Sequence, residues 1–491
     1  MTQHIDSGSG LDAAAPSAAP TAAPPTAAPQ AAQRLTPRAR LVLVVLCAAQ
    51  FMIALDFSVL NVALPKLGHD LGMSPSALQW AVTAFALPSG GFLLLLGRAG
   101  DLFGRRRLFL SGLAIFGAAS LLATFAWNPA VFLAGRALQG VGAAAIVPTG
   151  MSILTTTFPE GPQRDRALGI NGTLLSVGFT VGTVLGGVLT DMLGWRSTMG
   201  LLALFSLVVL PFAPGLIEES RQARRPRLDL PGAATVTAGL LALIYSLSTA
   251  ADRGFGGADV IATLVAGVLL LVAFVAVEAR TAEPLVSLAM LKRRTVAWGN
   301  LGGLVTFAMM STVVFAMTLY LQEVLDLSPL QTGLVFGVQG TAAALSGGFV
   351  PRLIGRFGAH RALVGFLLGQ GLFVAALLGI GSSDRSVWLV TPAISLACVC
   401  NLGGIIAYGL TVTGGIPHDQ QGLATGLVTS SQQVGITIGI PLLGVVATTT
   451  QDRLSGVHTV LAIDAAVTLV TGVLVAIGLH GSRNTTGAAR D

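Results

Sequence analysis

Two charged side chains of opposite sign stand inside apolar stretches of this sequence: Asp56, within Leu55-Asp56-Phe57-Ser58, and Arg136, within Arg136-Ala137-Leu138-Gln139-Gly140-Val141-Gly142. An unpaired guanidinium at the centre of a membrane-spanning run costs at least about 3 kcal/mol, so Arg136 must face a partner or water. Counting from predicted outer helix ends puts both charges in the same half of the membrane, on segments running in opposite directions. A contact or a water bridge is therefore possible. Poor solvation favours the neutral acid and a nearby guanidinium favours the carboxylate, so rearranging such a pair could bind and release a proton. The alternative is a permanently ionised pair that staples two helices, and residue types alone leave both open. A third charge, Asp464, falls near the predicted outer end of the last apolar run, where it either faces the vestibule or, as the favoured reading, meets headgroup water.

Other spacings suggest motion rather than chemistry. Gly97, Asp101 and Gly104, followed by Arg105, Arg106 and Arg107, form a tight charged turn between two apolar runs. A glycine where helices approach, an acid and a basic cluster could together make a conformational latch. The stretch Gly355-Arg356-Phe357-Gly358-Ala359-His360-Arg361 echoes it without the acid, as expected of an internally repeated chain. Gly169, Gly178, Gly182, Gly186 and Gly187 lie along one apolar run and would let a neighbouring helix approach closely. Gln139, Gln339, Asn401, Gln432 and Gln433 are polar within apolar runs; they could line a cavity or bond neighbouring helices.

Several chemistries lack their residues. There is no G-x4-G-K-[ST] phosphate loop, no connector long enough for a nucleotide-binding domain and no zincin helix. Cys47, Cys398 and Cys400 sit inside apolar runs without ligand spacing and read as small hydrophobes. No metal, cofactor or catalytic residue is expected.

Only 10% of the 491 residues are charged and 53% are hydrophobic, against about 25% charged in soluble chains. Apolar runs of spanning length, about 20 residues, recur along almost the whole chain and predict an all-α polytopic membrane protein with fourteen spans. Six begin near Leu41, Leu78, Leu108, Ala130, Ala167 and Ser197. Two follow near Leu230 and Val260, and six more near Val296, Leu330, Arg361, Val387, Leu423 and Thr459. The expected organisation is an Ala/Pro-rich tail at 1–40, a six-helix bundle at 41–217, Arg-rich connectors with two additional helices at 218–295, a second six-helix bundle at 296–480 and a tail at 481–491. If the short glycine-rich connector 251–259 does not join two spans, twelve remain. The net charge of +6 does not indicate a nucleic-acid binder, because the arginines sit between apolar runs. They concentrate in alternate connectors, around Arg98, Arg164, Arg221, Arg280 and Arg356, so both termini are expected in the cytoplasm. Trp80, Trp127, Trp195, Trp298 and Trp388 fall near predicted helix ends, as an interfacial belt would require.

The G-x3-D-x2-G-R-R-R turn resembles the signature of the major facilitator superfamily, and R-x2-Q-G-x-G from Arg136 resembles a second motif of that superfamily. The stretch L-D-x-S-V-x-N-V-A-L-P from Leu55 to Pro65 is similar to the first-helix motif of its fourteen-helix drug:proton antiporters. The glycine series resembles the antiporter motif of the fifth helix, except that Thr183 stands where that family usually has proline. The resemblance covers Leu41 to about Leu479. It implies a major-facilitator fold of two six-helix bundles plus two extra central helices, working as a proton-driven exporter in the cytoplasmic membrane. The alternatives are a metabolite importer or symporter on the same fold, since fold does not fix direction, or a non-transport membrane protein, for which no catalytic constellation or signalling domain is found. Asp56 and Arg136 would couple the proton. The implied partners are the lipid bilayer, protons and a small lipophilic substrate, with no oligomer required. With Asp56 the only acid near the middle of the first six spans, neutral or monocationic compounds such as antibiotics are expected rather than dications.

Overall fold

The computed structural model describes residues 36–73, 75–158, 162–219, 229–254, 256–281, 288–416 and 452–480, with scattered positions between 424 and 443. Residues 1–35 and 481–491, the arginines from Arg221 to Arg227, Gln433 and Pro441 lie outside the described residues, and the expected tail at 1–40 ends early because α1 already begins at Pro37. Every regular element among those described is helical.

In the N-terminal half, α1 (Pro37–Leu71) is followed by α2 (Pro75–Gly91) and α3 (Leu93–Phe103), then α4 (Arg105–Thr124), α5 (Pro129–Thr157), α6 (Pro162–Leu193) and α7 (Arg196–Leu216). Caps fix several starts. Thr36 accepts from the Ala39 amide and Asn128 from that of Val131, each with proline in the first turn, where its missing N–H costs nothing. The two extra segments expected between the bundles are both helical, as α8 (Leu230–Arg253) and α9 (Ala258–Glu278). Asp229 caps α8 by accepting from the Gly232 amide at 2.8 Å. α8 packs against α9 and α2, while α9 turns Val265, Val268, Leu269, Val272 and Val275 outward. Such a surface suits lipid and not water.

After the single turn α10 (Leu288–Leu291), the C-terminal half contains α11 (Arg294–Leu319), which continues as a π-helical turn to Val324, then α12 (Pro329–Ser346) and α13 (Val350–Phe357). α14 (Ala359–Ala376), α15 (Val387–Thr413) and α16 (Arg453–Leu479) follow, with scattered helical positions between 424 and 443. The two halves repeat one design. Segment α2–α3 bends by 50°, and so does α12–α13. Each bent segment ends on a glycine of positive φ, Gly104 at 112° and Gly358 at 82°, from which α4 and α14 depart. An L side chain would be strained there.

Nine described helices are long and apolar enough to cross a membrane, or eleven when each bent pair counts as one span. α6 and α8 occupy two further predicted positions with shorter apolar stretches, and the thirteenth predicted span, from near Leu423, is described only at scattered helical positions. Trp127 and Trp388 are exposed as an interfacial belt requires, but Trp195 is not. Gly194, at φ 83°, turns the chain so that Trp195 is wholly buried. Its ring meets Phe132 edge-on at 5.5 Å and its Nε1 donates to Asp70. It packs the bundle end rather than anchoring in lipid headgroups.

Candidate functional site

Asp56 and Arg136 meet. α1 and α5 run in opposite directions, and both side chains are completely buried. Arg136 Nη1 donates to Asp56 Oδ1 at 2.5 Å and to Gln139 Oε1 at 2.8 Å, while Nε donates to the Ala81 carbonyl of α2 at 3.1 Å. The guanidinium also lies 4.6 Å from the centre of the Phe85 ring. Gln139 passes the network on by donating to Ser120 Oγ, which donates to the Phe116 carbonyl of α4. Gln139, expected as a possible cavity-lining residue, is thus the second tether of the arginine. Spacing three along a helix puts both on one face.

The network is incomplete at its centre. Asp56 Oδ2 and Arg136 Nη2 are buried without hydrogen-bond partners. A pair serving only to staple helices would be expected to satisfy such groups, because desolvating two charges is repaid only by near-complete bonding. Oδ2 is therefore a position at which a proton or a water can bind.

The glycine series explains how α1 is held. A Cβ on Gly178 would crowd Phe51 and Ala54, one on Gly182 would collide with Ser58 Oγ and Leu55, and one on Gly186 would come within 2.9 Å of Val59 Cα. Ser58, of the same motif as Asp56, packs directly on α6. Gly187 faces the other way, where a Cβ would stand 2.6 Å from the Pro329 carbonyl oxygen of α12. Gly169 contributes nothing to this packing, since a Cβ there meets open space. Thr183, at the usual proline position, bonds its hydroxyl to the Thr180 carbonyl within an unbroken α6.

The two halves touch along α6 and α12. Gly333 lies under the Thr183 carbonyl, Gly337 under Val184 and Gly340 under Thr180. Gln322, which the sequence reading missed, donates to the Val62 carbonyl at 2.9 Å and ties the π-helical turn to α1. All these contacts lie away from the arginine-rich end of the bundle. Toward that end, α1 and α6 border a cavity of about 520 Å³ lined by Arg40, Leu43, Val44, Cys47, Arg166, Ile170 and Leu174.

At the arginine-rich end Gly97, Asp101, Gly104 and Arg105 lie together around one turn. Asp101 accepts from Arg105 Nη2 at 2.8 Å and from Nε at 3.0 Å, four residues apart across the Gly104 turn. Gly97 faces Pro148 and Gly100 faces Thr149, so α3 lies close on α5. A residue not singled out in the sequence completes the turn. Glu219 occupies the space a Cβ on Gly104 would need, accepts from the Arg106 amide at 3.3 Å and approaches Arg107 Nε at 3.7 Å. A carboxylate at the start of α4 is favoured by the unpaired amides there. The acid pair Glu218–Glu219 just beyond an apolar run was the available signal.

The remaining polar candidates divide. Asn401 donates to the Thr306 carbonyl at 2.9 Å and meets Gln370, and Gln339 is buried in α12 with neither amide atom bonded. Gln432 is half-buried. Asp464 corrects its expectation. It is completely buried, because α16 starts at Arg453, capped by Asp452, rather than near Thr459. The carboxyl therefore sits eleven residues into the helix instead of about five, beyond reach of headgroup water.

The Major Facilitator Superfamily model matches residues 46–417. The chain is 38% identical over 419 residues to the puromycin resistance protein pur8 of Streptomyces alboniger, covering 84% of this chain and 82% of that one. It is also 38% identical to the cephamycin export protein CmcT of Amycolatopsis lactamdurans, covering 83% and 85%, and 33% identical to the lincomycin resistance protein of Streptomyces lincolnensis, covering 81% and 82%. Among solved structures, the nucleoside transporter NupG shares the fold at a TM-score of 0.65 and 13% identity, covering 90% of this chain and 99% of that one. The human organic anion transporter MFSD10 does so at 0.61 and 18%, covering 90% and 100%. With its bent, repeated halves and its buried Asp56–Arg136 pair, the chain belongs to the Major Facilitator Superfamily.

Proposed function

We propose that this protein exports small lipophilic antibiotics across the cytoplasmic membrane in exchange for protons, with both termini in the cytoplasm and Asp56 as the proton carrier. The observation that carries the reading is the buried Asp56–Arg136 pair with one carboxylate oxygen unpartnered. Relatives named for puromycin resistance, cephamycin export and lincomycin resistance support the substrate class and the direction. With the arginine-rich end in the cytoplasm, the tight α6–α12 contact closes the outer side and the α1–α6 cavity opens inward. A lipophilic compound enters there from the cytosol or inner leaflet. After the change of access, a proton from outside binds Asp56 Oδ2, neutralises the carboxyl and loosens its hold on Arg136. On return, renewed pairing with the guanidinium expels the proton into the cytosol. The gradient thus drives export, and no bound cofactor is required.

The test is flux in proteoliposomes under an imposed pH gradient, with puromycin, a cephamycin, lincomycin and a dicationic dye. Export of at least one antibiotic that depends on the gradient and disappears in Asp56→Asn is the expected result. Gradient-independent flux would instead indicate facilitated diffusion, and accumulation in the opposite sense would indicate import.

A further inference from the structure

A second carboxyl group lies in the C-terminal half, far from Arg136 in the sequence and outside the network around it. Asp464 is completely buried on α16. Val460, Leu461 and Ala465 beside it are buried as well, and neither carboxyl oxygen has a hydrogen-bond partner among the described residues. The Thr468 hydroxyl, one turn along, adjoins the group without completing a bond to it.

Among the described residues, the elements packed most closely against α16 are α14, α11, the π-helical turn and the 3-10 turn Leu377–Gly379. Their titratable and charged side chains are His360 and Arg361 on α14, Arg294 at the start of α11, and Tyr320 and Glu323 in the π-helical turn; the 3-10 turn has none. α16 itself carries Arg453 and His458, with His480 at its end. Glu323 pairs with Arg453 at 3.1 Å, His458 bonds the Ile380 carbonyl and Tyr320 donates to the Gly381 carbonyl. At 1.5 Å per residue, Asp464 lies about 16 Å along the helix from Arg453 and about 22 Å from Leu479. His360, Arg361 and Arg294 are at the arginine-rich end. Among the described residues no cation reaches the carboxyl, and an ionised group without cation or donors is not tolerated in such a place, whereas the neutral acid is.

The internal repeat shows that this acid is not a copy of Asp56. Gly117 and Gly371 stand equally far beyond the turn glycines Gly104 and Gly358; Gly117 packs on Ser206 and Gly371 on Leu469. In that register Asp464 corresponds to Leu201, so the acid belongs to the C-terminal half alone.

We propose that Asp464 is a second proton-binding site of the transporter, occupied by a proton in this conformation and emptied when α16 shifts against α11 and α14 during turnover. The step is the transfer of the carboxyl proton to a water molecule admitted by that shift, leaving a carboxylate and a hydronium ion; recapture reverses it. The inference rests on the proton-antiport reading and adds one proton to each cycle.

The experiment compares wild type, Asp464→Asn and Asp56→Asn in proteoliposomes, using whichever of puromycin, the cephamycin and lincomycin is carried fastest. Proton movement is read with an internal pH dye, and protons per molecule come from the gradient that just halts net flux. Asp464→Asn, which keeps the shape of the neutral acid, is expected to export with one proton fewer per molecule and an altered pH profile. An unchanged proton count and pH profile would overturn the assignment while leaving antiport through Asp56 intact. Wild-type export without proton movement would remove the antiport reading, and this inference with it. Should Asp464→Asn fail to fold, infrared spectroscopy of Asp56→Asn decides. A protonated-carboxyl band from a labelled aspartate, persisting above neutral pH, is expected, and its absence would overturn the assignment.

Discussion

The charge pair at the centre of the N-terminal half makes separable demands on its two members. Asp56→Asn removes the titrating oxygen but keeps a group able to accept from Arg136, so the protein should insert and remain folded while gradient-driven export falls to background. Arg136→Ala leaves Asp56 buried and uncompensated, and loss of one partner of a buried pair costs about 3–5 kcal/mol. Thermal unfolding in detergent should show a large loss of stability for Arg136→Ala and a small one for Asp56→Asn. Arg136→Lys should rescue little, because one ammonium cannot reach Asp56, Gln139 and the Ala81 carbonyl as the planar fork does. A stable Arg136→Ala protein would mean that the pair is not desolvated as its burial indicates. The meeting of Asp56 with Arg136 was legible in the sequence because depth can be counted from apolar runs. Ser120 and Ala81 were not, since hydroxyls and backbone carbonyls carry no mark of which helix they will face.

At the scale of elements, glycines decide which helices can lie close together. Gly182→Ala should abolish export and lower stability, because the added methyl collides with Ser58 and Leu55 on the helix that carries Asp56. Gly169→Ala is the control: its methyl enters open space, and alanine favours helix over glycine by about 1 kcal/mol, so export and stability should be retained. Equal behaviour of the two would remove the packing role of the series. The same device recurs in the second half, where Gly435 packs on Leu304 and Phe307, and Gly439 on Ala308, as Gly178 does on Phe51 and Ala54, and Gly182 on Leu55. This correspondence sets Met309 opposite Asp56 in the repeat. The repeat was visible in sequence at the Gly355–Arg361 turn, but the second glycine pair was not, because two glycines four apart are common in apolar runs. Helix starts were the weakest part of the reading. The first turn of α16, Arg453-Leu454-Ser455, is too polar to count as part of an apolar span, yet Asp452 caps it by accepting from the Leu454 and Ser455 amides. That displacement of about a turn and a half turned an expected headgroup neighbour into a buried acid.

For the whole molecule, the asymmetry of contact between the halves defines one member of an alternating pair of states. α6 and α12 are in van der Waals contact from Thr180 to Gly187, and Gln322 reinforces the same side through the Val62 carbonyl. If the halves rock about the site, this seam must part in the other state while the α1–α6 cavity closes. A covalent link across the seam should therefore hold the protein as it is seen here. Val184 and Gly337 are suited to it, since a Cβ on Gly337 would lie 2.7 Å from Val184 Cγ2. In a background with Cys47, Cys398 and Cys400 replaced by alanine, Val184→Cys with Gly337→Cys should cross-link readily on oxidation. The linked protein should still bind antibiotic from the arginine-rich side but export none, and reduction should restore transport. Each single cysteine controls for the substitution itself, which matters at Gly337 because any side chain there presses on α6. Undiminished export with the link formed would show that this seam stays closed throughout the cycle, and the change of access would then have to occur elsewhere in the bundle.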